Sequence, residues 1–410
     1  MLNNAALLMT VKKTDKVIQI ACPGDTTWYL TKSGELYGCG RGYYGQQGSG
    51  STDNVTTFTK RADNVAQIAC SSGATWYLTK SGGLYGCGRG FYGNQGNGLW
   101  SDSDFELQPS DADVNTFTKR ADNVAQIACS DDTTWCVTNS GELYGCGCGI
   151  WGQQGTGSSS YYVATFTKRA DNVAQIACSS GTTWYVTNSG ELYGCGWKNF
   201  GTQGDGSNSN VETFTKRANN VAQIACSEST AWYVTKFGEL YGCGYGRYGT
   251  QGSGSNSNVL TFTKRADNVA QVACSYYTTW YLTKSGELYG CGRGNYGQQG
   301  NGSTSDVTIF TKRADNVAQV ACSDWTTWYV TKSGELYGCG YGSSGQQGNG
   351  STDNVTTFTK RADNVAQIAC SGGATWYLTK SGEIYGCGSG GYGTQGNGST
   401  DKVTTFTKRP

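Results

Sequence analysis

The sequence predicts an all-β fold, an eight-bladed β-propeller of four-stranded antiparallel blades, and three observations predict it. A unit of about 48 residues recurs eight times along the chain. Each unit holds four segments of strand length and β-rich composition. Glycine supplies 62 of 410 residues and proline only 3, with aromatic residues at 12%, a balance that suits short strands joined by tight turns rather than long helices. A repeat of this period, with four strands per copy, reads as radial repetition, so one closed domain replaces the two or three that length alone would suggest.

The second copy shows the elements in order. Asn64-Val-Ala-Gln-Ile-Ala-Cys70 reads as the first strand, and Thr75-Trp-Tyr-Leu-Thr79 as the second. A Lys-Ser-Gly hairpin turn follows, where glycine supplies the positive φ that such turns require. Leu84-Tyr-Gly-Cys-Gly88 is the third strand, and a glycine-rich loop leads to a fourth, written Val-Thr-Thr-Phe-Thr-Lys in other copies. The turn Arg-Ala-Asp-Asn then opens the next unit. Residues 1–14 are a lead-in, and residues 15–410 form a single propeller with an insertion at 99–113. That insertion is acidic and apolar, lies between third and fourth strands, and is either a tolerated surface loop or a contact element. The chain opens on a first strand, Val17-Ile-Gln-Ile-Ala-Cys22, and ends on a fourth, Val403 to Lys408. From this the ring is expected to close with the N- and C-terminal strands meeting in one blade, leaving no free sheet edge.

Sixteen of the 18 cysteines recur at two fixed points, ending the first strand (Cys22, Cys70 and their equivalents) or inside Tyr-Gly-Cys-Gly (Cys39, Cys87 and theirs). A core of this size needs no disulfide staples, so these are expected as buried reduced thiols. With no histidine and no paired Cys-x-x-Cys, neither a metal site nor a cofactor is expected. The repeated tryptophans, Trp28 through Trp376, are expected in the core. Net charge is +1, without the basic surplus of a nucleic-acid binder. No run of 18 apolar residues suggests a membrane span, and the N-terminus carries no secretory leader, so neither nucleic acid nor membrane is expected as partner and the cytoplasm is the expected location.

Glu-Leu-Tyr-Gly-Cys-Gly, Tyr-Gly-Gln-Gln-Gly, Val-Ala-Gln-Ile-Ala-Cys and Thr-Trp-Tyr-Leu-Thr-Lys-Ser-Gly-Glu together resemble the regulator of chromosome condensation repeat, over essentially residues 15 to 410. The resemblance implies a propeller whose blade is offset from the sequence unit. Its best-known activity is guanine nucleotide exchange on a small GTPase, together with chromatin binding. Neither carries over residue by residue: the family's Gly-x-x-His-Thr is Ser-x-x-Thr-Thr or Ser-x-x-Ala-Thr here, and its Trp-Gly-x-Asn is Cys-Gly-x-Gly. Fold transfers on such evidence more readily than function.

Differences between copies concentrate in two stretches. One is the dipeptide after Cys-Ser, including Tyr276 and Tyr277, and Asp324 and Trp325. The other flanks the position after Tyr-Gly-Cys-Gly: Arg41 and Tyr43, Arg89 and Phe91, Trp197 and Asn199, Tyr245 and Arg247, Arg293 and Asn295, and Tyr341. In an up-and-down meander both loops leave the same face of the disc. Tyr, Trp, Arg, Asn and Asp at such positions are the chemistry of contact surfaces, rigid rings beside adaptable polar groups. Drift in unconstrained loops would also collect differences there. General acid–base catalysis lacks its usual agent, histidine. The expected function is therefore a non-enzymatic binding protein presenting these residues to a protein or glycan ligand. The alternative is a guanine nucleotide exchange factor whose partner is a small GTPase.

Overall fold

The computed structural model describes residues 15–101, 111–159, 162–207 and 209–409. The first blade is a four-stranded sheet in chain order, β1 (Val17–Ala21), β2 (Thr26–Thr31), β3 (Leu36–Gly40) and β4 (Val55–Ala62). Seven more sheets of the same order follow, the last built from Val365–Cys370, Ala374–Thr379, Ile384–Gly388 and Val403–Lys408. Neighbouring strands are antiparallel throughout.

The burial pattern ranks the strands. First strands line the axis, second strands are buried along almost their whole length, and fourth strands form the exposed rim. The core lies between blades, as eight equivalent clusters. Trp28, Leu30 and Leu36 of one blade pack on Val65, Ile68 and Tyr77 of the next. All eight repeated tryptophans are fully buried. Each is seated by a glycine: Trp28 pairs across the sheet with Gly38, where a Cβ would stand 2.3 Å from the indole. That is far inside van der Waals contact, so Tyr-Gly-Cys-Gly carries glycine for space.

Ring closure differs from the sequence expectation. The termini do not meet in one blade: β1 belongs wholly to the first sheet, and Val403–Lys408 wholly to the eighth. The reason is that Arg-Ala-Asp-Asn carries the chain from one sheet to the next, its asparagine in the left-handed region (Asn64 φ 61°, Asn364 φ 60°), so blade and sequence unit coincide. The seam repeats the contacts of every other blade boundary. Val17 and Ile20 pack on Trp376 and Leu378, and Phe58 meets Trp376 edge-on at 5.7 Å. The Val17 N–H donates to Gly382 O at 3.3 Å, as Val65 donates to Gly34 at 2.9 Å inside the ring. Closure thus rests on side-chain packing and on several hydrogen bonds across the seam, among them Gly398 N–H to Thr56 O at 2.9 Å, Thr27 Oγ1 to Thr394 O at 2.9 Å and Ile20 N–H to Gln367 Oε1 at 3.3 Å.

Candidate functional site

The two variable stretches are joined in every blade. The backbone N–H of the residue after Tyr-Gly-Cys-Gly donates to the carbonyl of the second residue of the variable dipeptide: Arg41 to Asp25, Tyr245 to Ser229, Arg293 to Tyr277 and Tyr341 to Trp325, each at 2.9 Å, and Trp197 to Gly181 at 2.7 Å. One face of the disc therefore carries both.

Beneath this face lies a platform. The second residue of Gln-Gln, Thr-Gln or Asn-Gln in each loop is a fully buried glutamine. Gln47 donates to Cys39 O at 2.9 Å and Arg41 O at 3.3 Å, and Gln251 to Cys243 O and Tyr245 O at the same two distances. The preceding residue sets the loop's backbone. Where it is glutamine, its Oε1 accepts the N–H two residues earlier, as Gln46 does from Tyr44 and Gln298 from Tyr296. Where it is Thr202, Thr250 or Thr394 the hydroxyl bonds the carbonyl of Trp197, Tyr245 or Ser389 instead. The aromatic then takes the left-handed conformation (Phe200 φ 65°, Tyr248 φ 64°, Tyr392 φ 60°), as Tyr92 does beside Asn94 (φ 54°). That region is costly for an aromatic residue and is held here by the surrounding bonds.

Side chains on the platform join across blade boundaries. From blades three to seven runs a continuous chain of rings. Trp151 meets Trp197 at 5.8 Å and Phe200 meets Tyr245 at 4.7 Å. Tyr245 leads to Tyr276 at 5.9 Å, then Tyr277 at 4.7 Å and Tyr248 at 5.7 Å. Arg293 lies over Tyr277, Tyr248 and Tyr296, and Tyr296, Tyr341 and Trp325 complete the arc. On the other side the joints are cationic: Arg41 lies over Tyr392, Tyr43 and Tyr44, and Arg89 over Tyr44 and Phe91. Cation–π and edge-to-face pairs of this kind each contribute about 0.5–1.5 kcal/mol.

Exposure sorts the expected contact residues. Asn199, Arg247 and Trp325 are exposed; Arg41, Tyr43, Arg89, Trp197, Tyr245, Tyr276, Tyr277, Arg293, Asn295, Asp324 and Tyr341 are half-buried, each with an outward surface. Phe91 is the exception. It is 5% exposed, its ring lying under the Arg89 guanidinium and against Tyr92, so its role is packing. Lys198 is likewise buried, held by Asp205 and by Ser207 Oγ at 2.6 Å, while Arg217 pairs with the same Asp205 at 3.1 Å. Of the 99–113 insertion, Trp100 is exposed and stacks on Tyr162 at 3.8 Å; residues 102–110 lie outside the described residues.

Sequence reasoning missed the axis. Ala21, Cys22 and their equivalents from all eight first strands line a channel of about 710 Å³. Most of the first-strand thiols are thus half-buried channel wall, while those of Tyr-Gly-Cys-Gly are fully buried. The cysteines are free, and burial pushes their thiols up, to about 12 at Cys70 and Cys274. Thiolate chemistry is suppressed accordingly. On the variable face the channel opens into a cavity of about 340 Å³, lined by Asp131, Glu228, Asp324, Tyr276 and a set of serines. Burial raises the Glu228 carboxyl, helped by Asp324 and Asp131. Burial also raises Asp324, against the pull of the Tyr276 N–H, which it accepts at 2.9 Å. The signal was present in the dipeptides Asp131-Asp132 and Glu228-Ser229, but their convergence depends on the inner position of the first strand.

Eight four-stranded blades around an axial channel define a β-propeller. The regulator of chromosome condensation (RCC1) repeat model matches residues 269–298 and 285–330, so this stretch is similar to RCC1 repeats within a β-propeller. Human WBSCR16 superposes with a TM-score of 0.65 at 18% identity, over 82% of this chain and 96% of that one. Yeast RCC1 (Prp20), solved bound to Kap60, gives 0.63 at 17% identity, over 91% and 94%. Prp20p from Saccharomyces cerevisiae, described with its binding properties to Gsp1p and histones, gives 0.62 at 18%, over 87% and 91%. At these identities the likeness is one of fold. No curated protein sequence matches the chain. Among the described residues no helix is long and apolar enough to cross a membrane.

Proposed function

We propose that this protein binds a protein partner through the variable face, with the aromatic arc of blades three to seven as the energetic centre. The observation that carries this reading is the join between the two variable stretches, repeated in all eight blades by one backbone hydrogen bond. It gives variable side chains a fixed frame, so that sequence changes alter the surface and not the fold. Tyr and Trp with Arg are the residue types that dominate interface energetics, and rings held by their neighbours lose little entropy on binding. A protein partner is favoured over a glycan because the arc spans five blades, a breadth suited to a macromolecular surface. The relatives that bind Gsp1p, histones or Kap60 support a protein ligand in general terms.

The test is affinity capture with the purified protein from extracts of its source cell, followed by alanine substitution. Trp325→Ala and Tyr276→Ala are expected to weaken the captured complex by about 2 kcal/mol each, while Thr359→Ala on the outer rim leaves it unchanged. Capture that survives both face substitutions would overturn the proposal. Exchange activity is the second reading, resting on the fold shared with Prp20, and a nucleotide-release assay with candidate small GTPases decides it directly.

A further inference from the structure

The opposite face carries charge that the fold does not neutralise. Its outer ring is paired: Lys60 lies 2.6 Å from both Glu35 and Asp63, and Lys264, Lys312 and Lys360 repeat the arrangement. In each of these outer clusters one lysine lies between two carboxylates, so its charge is fully paired. The inner ring differs. Lys80, Lys236, Lys284, Lys332 and Lys380 are exposed, and each ammonium donates only to a turn carbonyl of the preceding blade, as Lys236 to Ser189 O at 3.0 Å and Lys332 to Ser285 O at 2.9 Å. No carboxylate lies within ion-pair reach of them among the described residues. Each crosses the turn glycine of that blade, with Lys284 Nζ 2.9 Å from where a Cβ on Gly238 would stand.

Three further observations single out one sector. A groove of about 720 Å³ runs along blades five to seven, lined by Lys236, Lys284, Lys332, Gln223, Gln271 and Leu282. Beside it stands Phe237, which replaces the serine of the other turns and is 71% exposed, the most exposed large apolar side chain among the described residues. The equivalent groove on blades two to four, about 530 Å³, has Asn139 and Asn188 in place of lysines. Asn139 and Asn188 bond Asn123 and Asn172 of their own blades instead, so these turns form without the lysine's bond to the preceding blade and without its charge.

We propose that this groove is a second binding surface, for a short acidic peptide segment carrying an apolar side chain. Three lysines with free N–H donors take its carboxylates, and Phe237 takes the apolar group. The outer lysines are already paired and exposed carboxylates flank them, so a long polyanion lying across the face meets no free cation there, which argues against a nucleic acid and favours a short segment reaching toward the axis. This inference stands independently of the variable face.

The experiment measures fluorescence anisotropy of a labelled glutamate-rich peptide with one central leucine, against labelled oligothymidylate and inorganic polyphosphate as competitors. The protein is expected to bind the peptide with affinity that falls steeply as salt rises. The triple variant Lys236→Asn, Lys284→Asn, Lys332→Asn copies residues that blades three and four already use, so it keeps the fold. It should weaken binding about tenfold or more. Phe237→Ser, which restores the residue of other turns, should weaken it about threefold. Trp325→Ala should leave it unchanged. Absence of peptide binding at low salt, equal binding by the triple variant, or tighter binding of oligothymidylate or polyphosphate than of the peptide would each overturn the proposal.

Discussion

Gln251→Leu removes a hydrogen-bond donor from beneath the variable face while keeping the side chain's volume. Gln251 is fully buried, and its amide nitrogen donates to Cys243 O at 2.9 Å and Tyr245 O at 3.3 Å. Leucine leaves both carbonyls without that donor. The Tyr245 carbonyl keeps the Thr250 hydroxyl, so the loss falls mainly on Cys243 O, and an orphaned buried acceptor costs about 1–3 kcal/mol. The variant also removes the glutamine Oε1, which has no partner in the fold, and this offsets some of the loss. The net expectation is a destabilisation of about 2 kcal/mol, read as a lower urea midpoint at unchanged slope. Hydrogen exchange gives the local counterpart. The Tyr245 N–H, held to Ser229 O at 2.9 Å, should exchange faster in the variant, while the Tyr341 N–H two blades away keeps its protection. A midpoint unchanged within about 0.5 kcal/mol, with normal protection at Tyr245, would refute the claim that the buried glutamine fixes the platform.

Three other outcomes follow from the same geometry. Glu228 has a carboxyl raised by burial and by Asp324 and Asp131, so in the fold its ionised form is penalised; the fold is favoured below the ordinary glutamate range and loses that advantage as pH rises through the raised value. Glu228→Gln is therefore expected to stabilise the protein at neutral pH and to make no difference below the ordinary glutamate range, and equal gains at both pH values in urea titrations would contradict this. Gly338→Ala places a Cβ 2.2 Å from the Trp328 ring, where ordinary contact is about 3.5–4.0 Å; it should cost about 1–3 kcal/mol or more, and a wild-type melting curve would refute the spatial reason given for that glycine. Phe91→Ala should lower stability by about 3 kcal/mol while leaving partner binding intact, and the opposite division would return Phe91 to the contact surface.

The blades were legible because period and composition agree. Four β-rich segments per copy, each closed by glycine or asparagine turns, leave one way to bury the Trp of the second strand in every copy. The offset blade came from resemblance and not from residues; nothing in Arg-Ala-Asp-Asn says whether it joins strands of one sheet or links two sheets. The face was legible from topology alone, since alternate loops of a meander share a side. Its internal order was not. That Phe200 would meet Tyr245, or Arg293 lie over Tyr248, depends on the angle between blades, which the sequence does not state. Phe91 was misread for the same reason: beside Arg89 it reads as surface, and only the loop's fold turns it under the guanidinium. The acidic cavity at the axis likewise joins residues nearly 200 positions apart, Asp131 and Asp324.

Site-specific photo-crosslinking tests the face most directly. A benzophenone amino acid is placed at Arg247 or at Trp325, both exposed on the variable face, and at Thr359, exposed on an outer strand. After irradiation in extract from the source cell, a common protein adduct is expected from the first two positions and none from Thr359. Adducts from Thr359 alone, or equal yields from all three, would contradict a partner seated on the variable loops.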